Sequence, residues 1–238
     1  MDPANFVHLH LHTSYSLLDS SIRHSALFKR AQEFGMPAVA MTDHGNMFGA
    51  VEFYNAARKH GIKPIIGCEV YVAPESRHEK TSKDNLRDAS YHLILLSENE
   101  KGYKNLLKLV TKGYLEGFYY KPRIDKELLS EYSEGLIALS SCVRGEVAHN
   151  VNRENVPRAI KVAAQYAEIM GEDNFFLELQ NHQLENQDWI NKEIIGIGKK
   201  LGLPVVATNN CHYIDRKDFR AHEILLCLQT GKTISDPY

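Results

Sequence analysis

Seven short apolar, β-rich runs constrain this chain most, because stretches with apolar residues every three or four positions separate them. The runs are Phe6–His12, Ala38–Thr42, Pro64–Ala73, Tyr91–Ser97, Leu136–Ser141, Phe175–Gln180 and Pro204–Thr208. Helical spacing occurs at about Arg23–Phe34, Met47–His60, Tyr103–Tyr114, Pro157–Met170 and Asp188–Leu201. In the last of these Ile190, Ile194, Ile197 and Leu201 form one stripe, and Gly202 supplies a C-terminal stop. Pro157 suits a first helical turn, after which Ile160, Ala163, Ala164 and Ala167 are expected to face inward. Strands that alternate with helices predict a parallel sheet with right-handed crossovers. The 238 residues suit one large α/β barrel or two small domains.

Chemistry-bearing residues decide between a barrel and an open sheet. His8-Leu9-His10-Leu11-His12, Thr42-Asp43-His44, Cys68-Glu69 and Asn209-Asn210-Cys211-His212 each follow or end a β-rich run. His92 and Cys142, the latter after Leu139-Ser140-Ser141, belong to two further runs. An open sheet concentrates such residues at one switch point, whereas a barrel gathers every strand C-terminus around one mouth. The barrel is therefore expected. Alternation along a strand puts His10 and His12 on one face, and imidazole, carboxylate and thiolate are ligands of zinc and its neighbours. A single strand histidine is more often a hydrogen-bonded core residue than a ligand. Cys142 also reads as a small buried hydrophobe, and Asp19 in Ser16-Leu17-Leu18-Asp19 as a helix N-cap. The coincidence of several such segments favours metal. His24, His60, His78, His149, His182 and His222 fall in helical or loop segments and carry no assigned chemistry.

Composition narrows the setting. No apolar run approaches the ~20 residues of a membrane span, and no basic n-region precedes an apolar h-region. The four cysteines, without a C-x-x-C pair, fit a reducing cytoplasm. A net charge of −2 gives no field that would attract DNA by itself. Arg77–Asp88 reads as a charged, solvated loop. Phe118-Tyr119-Tyr120-Lys121-Pro122-Arg123 joins three aromatics to two cations, which suits base stacking and phosphate contact as well as a packed connection. The chain's last residues lack a closing element and read as a cut within a longer chain.

His10-x-His12-x-x-x-Ser16, Thr42-Asp43-His44-Gly45, Gly67-Cys68-Glu69 and Asn209-x-Cys211-His212 resemble the motifs of the polymerase and histidinol phosphatase (PHP) superfamily. Phe6–His10, Tyr15–Asp19, Gly117–Arg123 and Val206–Asn209 narrow the resemblance to the N-terminal PHP domain of the bacterial DNA polymerase III α family. It covers essentially the whole chain, 1–238, as one domain. The resemblance implies a distorted (β/α)7 barrel of the PHP type, with two to three divalent metal ions (zinc, manganese or iron) at the C-terminal mouth of its strands.

Carried over by position, the first metal would use His10, His12, Glu69 and Asn210. The second would use a bridging Glu69 with His92 and Cys142, and the third Asp19, His44 and His212. Each of these is expected at or just beyond a strand C-terminus. His8 also fits the first motif, and is expected deeper on the same face. The family usually has an aspartate where this chain has Asn210, so the first metal and catalysis by Glu69 and Asn210 should be weakened.

The implied chemistry is metal-dependent phosphoester hydrolysis, of 3′→5′ exonuclease type on a DNA 3′ end, within a chain that also carries the remaining polymerase domains. A serine or Cys–His nucleophile lacks a Gly-rich elbow beside Ser16 or Cys142. Two alternatives compete. One is a non-catalytic scaffold that braces the polymerase and docks a separate proofreading exonuclease subunit. The other is a free-standing small-molecule phosphatase.

Overall fold

The computed structural model describes residues 6–80 and 90–236. Its strands are β1 (Ala38–Met41), β2 (Lys63–Val72), β3 (Tyr91–Ser97), β4 (Arg123–Ile124), β5 (Leu136–Leu139), β6 (Phe175–Leu179) and β7 (Val205–Ala207). Its helices are α1 (His24–Glu33), α2 (Ala50–Lys59), α3 (Glu100–Leu115), α4 (Lys126–Glu131), α5 (Glu146–Asn152), α6 (Val156–Met170), α7 (Gln187–Leu201) and α8 (Phe219–Thr230). Six of the seven β-rich runs form strands. Phe6–His12 does not: it bends at Leu9 and His10 and pairs only through isolated bridges, His8 to Val39 and Leu11 to Cys211.

Those bridges close the fold. The sheet runs β1-β2-β3-β5-β6-β7, with β4 paired to the end of β2. Segment 8–12 lies between its two edges. Ala40 and Thr42 donate to the carbonyls of His8 and Leu11, while His12 donates to Cys211 and Cys211 to His10. The result is a curled sheet drawn into a distorted α/β barrel.

The parallel sheet expected from strand–helix alternation requires correction. β3 runs antiparallel to both β2 and β5, with Tyr71 opposite His92 and Ile94 opposite Leu139. Among the described residues no crossover helix joins β2 to β3, and an antiparallel pair needs none. Residues 81–89, which hold most of the charged stretch in that connection, lie outside the described residues.

Two apolar layers follow from side-chain alternation. Val39, Met41, Val70, Val72, Leu93, Leu95, Phe175 and Leu177 face outward and pack under the helices with Phe28, Phe53, Leu106, Leu109, Val162 and Ile194. Ala40, Ile94, Leu96 and Leu139, with Leu9, Ile65, Ile137, Phe176 and Val206, fill the barrel interior. On α6 the buried face is Ala159, Val162, Ala163, Tyr166 and Met170. The expected Ala164 is exposed, so the stripe is rotated by about one residue. Asn155 caps α6 by accepting from the Arg158 amide, and Gly202 ends α7 with a φ of 70°. Among the described residues no helix is long and apolar enough to cross a membrane.

Candidate metal centre

The interior parity continues upward into a polar layer. On three staves a polar residue stands two beyond a lumen residue: Thr42 and then His44 above Ala40, Glu178 above Phe176, Thr208 above Val206. On β2, Glu69 shares the face of Ile65. It lies level with His44, since Glu69 donates its amide to Asp43 and Gly45 donates to Glu69. His92 is the second residue of β3, not a strand C-terminal residue as expected. It reaches the mouth because β3 is reversed.

Glu69 is the hub, and it is 1% exposed. Its Oε1 accepts from Ser141 Oγ at 2.8 Å and stands 3.1 Å from His92 Nδ1 and 3.4 Å from His10 Nε2. Its Oε2 stands 2.7 Å from His44 Nδ1 and 3.6 Å from His12 Nε2. Four imidazoles therefore converge on one carboxylate. The His12 ring lies between those of His44 and His212, with centroids at 4.1 and 4.3 Å.

Neighbouring groups fix the proton on two of these rings. Ser16 Oγ donates to Asp43 Oδ1 at 2.8 Å and accepts the His44 amide at 3.1 Å. Its single proton is thereby used, so His12 Nδ1, 2.9 Å away, donates to it. The Nε2 lone pair of His12 then faces Glu69. His10 Nδ1 likewise donates to Glu178 Oε1 at 2.7 Å, leaving Nε2 toward Glu69. Glu178 is itself held by the Gln180 amide at 2.7 Å and by the Thr208 hydroxyl. A carboxylate behind a histidine orients such a ring toward a metal.

The outer part of the site is more open. Asp19 Oδ2 lies 2.6 Å from His44 Nε2 and 3.6 Å from His212 Nδ1. Asn210 Oδ1 lies 3.0 Å from His212 Nε2, on a residue with a φ of 46°. His222, on α8, places Nε2 2.9 Å from the Asp19 carbonyl. Cys142 falls in none of the clusters that bring three ligand atoms within 4.8 Å of one another. Those clusters are His10–His12–Glu69, His44–Glu69–His92, His12–His44–His212 and Asp19–His212–His222.

Burial and charge split the titration of these groups. Burial works against a charged His10, but Glu178 and Glu69 outweigh it and hold the ring up at about 10. His44 is raised to about 9 against burial, by Glu69 and Asp19. Burial, then the neighbouring His44, drives His12 well below the usual imidazole range. His212 is lowered to about 4, chiefly by burial. Burial opposes ionisation of Glu69, yet His92, His44 and His10 hold it well below the carboxylate range. Burial and the Glu69 charge push the Cys142 thiol up to about 12.

The donor set fits divalent metal. His10 Nε2, His12 Nε2, His44 Nδ1, His92 Nδ1 and Glu69 Oε2 are buried without a hydrogen-bond partner. A buried polar atom left unpaired costs about 1–3 kcal/mol. Two ligands on one tetrahedral ion about 2.1 Å from each stand about 3.4 Å apart. The 3.4 and 3.6 Å separations of His10 and His12 from Glu69 match that spacing.

Several site residues escaped the sequence. Glu178, Gln180, Thr208 and Ser141 support the ligands from β6 and from the loops after β5, β6 and β7, and His222 reaches in from α8. A lone acid within the apolar run Phe175-Phe176-Leu177-Glu178-Leu179 was the available sign. The bend at Leu9 and His10 breaks the alternation expected along Phe6–His12. His8 is therefore not below His10 on the same face; its Nδ1 lies 3.4 Å from Cys211 Sγ.

A family model described as the PHP domain matches residues 8–182. The DNA polymerase III subunit alpha of Borreliella burgdorferi is 46% identical over 233 residues, covering 98% of this chain and 20% of that protein. Its counterpart from Aquifex aeolicus is 47% identical over 236 residues, with 98% and 20% covered. The chain thus spans about a fifth of the length of these relatives. A two-domain protein from Bacteroides vulgatus, containing a predicted PHP-like metal-dependent phosphoesterase, superposes with a TM-score of 0.53 at 14% identity. That match covers 95% of this chain and 55% of the other, and at this identity it speaks for the fold alone.

Proposed function

Because the chain belongs to the PHP domain family, we propose that residues 1–238 form the metal-dependent phosphoesterase domain of a longer cytoplasmic replicative DNA polymerase. In this reading it removes nucleotides from DNA 3′ ends. The observation that carries this is the convergence of four imidazoles on Glu69, with no inward ring atom in a hydrogen bond. Two to three divalent ions (zinc, manganese or iron) would be held by His10, His12, Asp19, His44, Glu69, His92, Asn210 and His212; Cys142, outside every cluster, is not needed for this set. Bound there, they supply positive charge to clamp a phosphate and lower the pKa of an attacking water.

The chain's own residues do the rest. Glu69 faces His10 and His92 with one oxygen and His12 and His44 with the other, which keeps the cluster together. Glu178 and Ser16 accept from Nδ1 of His10 and His12, which turns the Nε2 atoms of both rings inward. Asp19 and His212, on the open side, face the approaching substrate.

A second reading, a non-catalytic scaffold that docks a separate exonuclease, draws on Asn210. Its neutral amide engages His212 and offers no charge to the His10–His12–Glu69 group. One experiment separates the two. Metal content by plasma mass spectrometry and release of a 3′-labelled nucleotide are measured for the chain and for His12→Ala. Two to three ions with hydrolysis lost in the variant supports the enzyme; bound metal without hydrolysis supports the scaffold. No metal and no thermal response to zinc or manganese overturns the enzyme and leaves the scaffold.

A further inference from the structure

The segment Phe118–Arg123 passes beside the metal centre, and its two cations part company there. Arg123 is buried and spent: its guanidinium donates to the carbonyls of Gly117 at 3.1 Å, Arg77 at 3.2 Å and Glu79 at 2.8 Å. It fixes the loop and has nothing left for a ligand. Lys121 is only partly buried, and among the described residues no carboxylate pairs with its ammonium. Its Nζ sits 5.4 Å above the Tyr71 ring. That same ring stacks on His44 at 6.0 Å and meets His92 edge-on at 5.2 Å. One aromatic ring thus separates Lys121 from two of the candidate ligands.

The loop is held close to that site. Gly45, directly after His44, has a φ of +62°, and a Cβ there would fall 2.8 Å from Pro122 and 3.0 Å from Tyr71. Two of the segment's three aromatic residues face solvent: Phe118 is 49% and Tyr120 58% exposed, while Tyr119 is half-buried under the Arg123 guanidinium. Phe118 stacks on Tyr114 at 6.2 Å, and Tyr120 packs edge-on against Tyr119 at 4.7 Å. Tyr120 also holds a φ of 58°, a costly conformation for a bulky residue. Hydrophobic packing would have buried these rings.

We propose that Phe118–Lys121 is the binding track for single-stranded DNA leading its 3′ end to the metal centre. Lys121 contacts a backbone phosphate, and Phe118 and Tyr120 stack bases beyond it. A cation beside aromatic platforms is how single strands are held without sequence preference. The track rests on the exonuclease reading above and deepens it, since a small phosphoester would need neither ring.

The test is anisotropy with a fluorescein-labelled ten-residue oligothymidylate made nuclease-resistant by phosphorothioate linkages. Lys121→Ala should weaken binding about 3- to 10-fold and reduce the magnitude of the log–log salt slope by about 0.7, one phosphate's share for a single strand. Phe118→Ala and Tyr120→Leu should each weaken it about 5-fold at unchanged slope, with metal content and melting temperature as in the parent chain. Equal affinity in all forms, or no binding by the parent chain, overturns the track. Weaker binding that accompanies metal loss also overturns it, because the loop would then be bracing the centre. Binding that depends on Lys121 in a chain that hydrolyses nothing would leave the track standing and remove the exonuclease reading.

Discussion

Asn210 joins a backbone requirement to a chemical one. Its φ of 46° lies in the left-handed region, where asparagine and aspartate are the most tolerated side chains after glycine. Asn210→Asp therefore keeps the turn while placing a carboxylate where the amide oxygen now stands, 3.0 Å from His212 Nε2. An added anionic ligand and proton acceptor should raise metal occupancy. It should also raise turnover on a 3′-labelled oligonucleotide by about 10²-fold, the scale of a general acid–base group. Equal rates in side-by-side assays would show the amide to be sufficient. Glu178 permits a complementary test. Glu178→Gln removes the anion behind His10 while keeping its shape, and should weaken zinc binding about 10- to 100-fold. Competition against a chromogenic chelator measures this without reference to activity.

At the scale of elements, the strand reversal at β3 matters most. A parallel β3 would carry His92 to the far end of the barrel; the antiparallel one delivers it beside Glu69. The β2–β3 pair is close at Gly67, where a Cβ would lie 2.5 Å from the Leu95 carbonyl oxygen and 3.1 Å from that of Met41. Neither atom can yield, because both belong to the sheet backbone. Gly67→Ala should destabilise the chain by about 1–3 kcal/mol, the usual cost of overpacking. It should also lower metal content, since Glu69 lies two residues on. Urea denaturation and metal analysis of the same preparation check both effects. α8 is the opposite kind of element. None of its residues is buried, but His222 ties it to the Asp19 carbonyl beside the candidate centre.

For the whole molecule, metal and fold should be one equilibrium. Five inward-facing ligand atoms are buried around one another without a hydrogen bond, so the folded chain alone can offer the assembled site. Metal at about 100 times its dissociation constant stabilises by about 2.7 kcal/mol. For a chain of this size that is on the order of 5–10 °C in melting temperature. Chelation should lower the midpoint by that amount, and zinc or manganese should restore it; an unchanged midpoint would argue against bound metal. Much of this design was legible in the residues themselves. Ligand chemistry and apolar runs are local properties, so His10, His12, His44, Glu69 and His212 stand out beside the strands that carry them. The orientation of β3 was not, since side-chain alternation has the same period in either direction. Nor was the bend that turns His8 toward Cys211, which depends on segment 8–12 bridging two sheet edges at once. Glu178 is the sharpest case: one acid in an apolar strand gives no partner by itself. Only barrel closure brings His10, 168 residues away in sequence, within 2.7 Å of it.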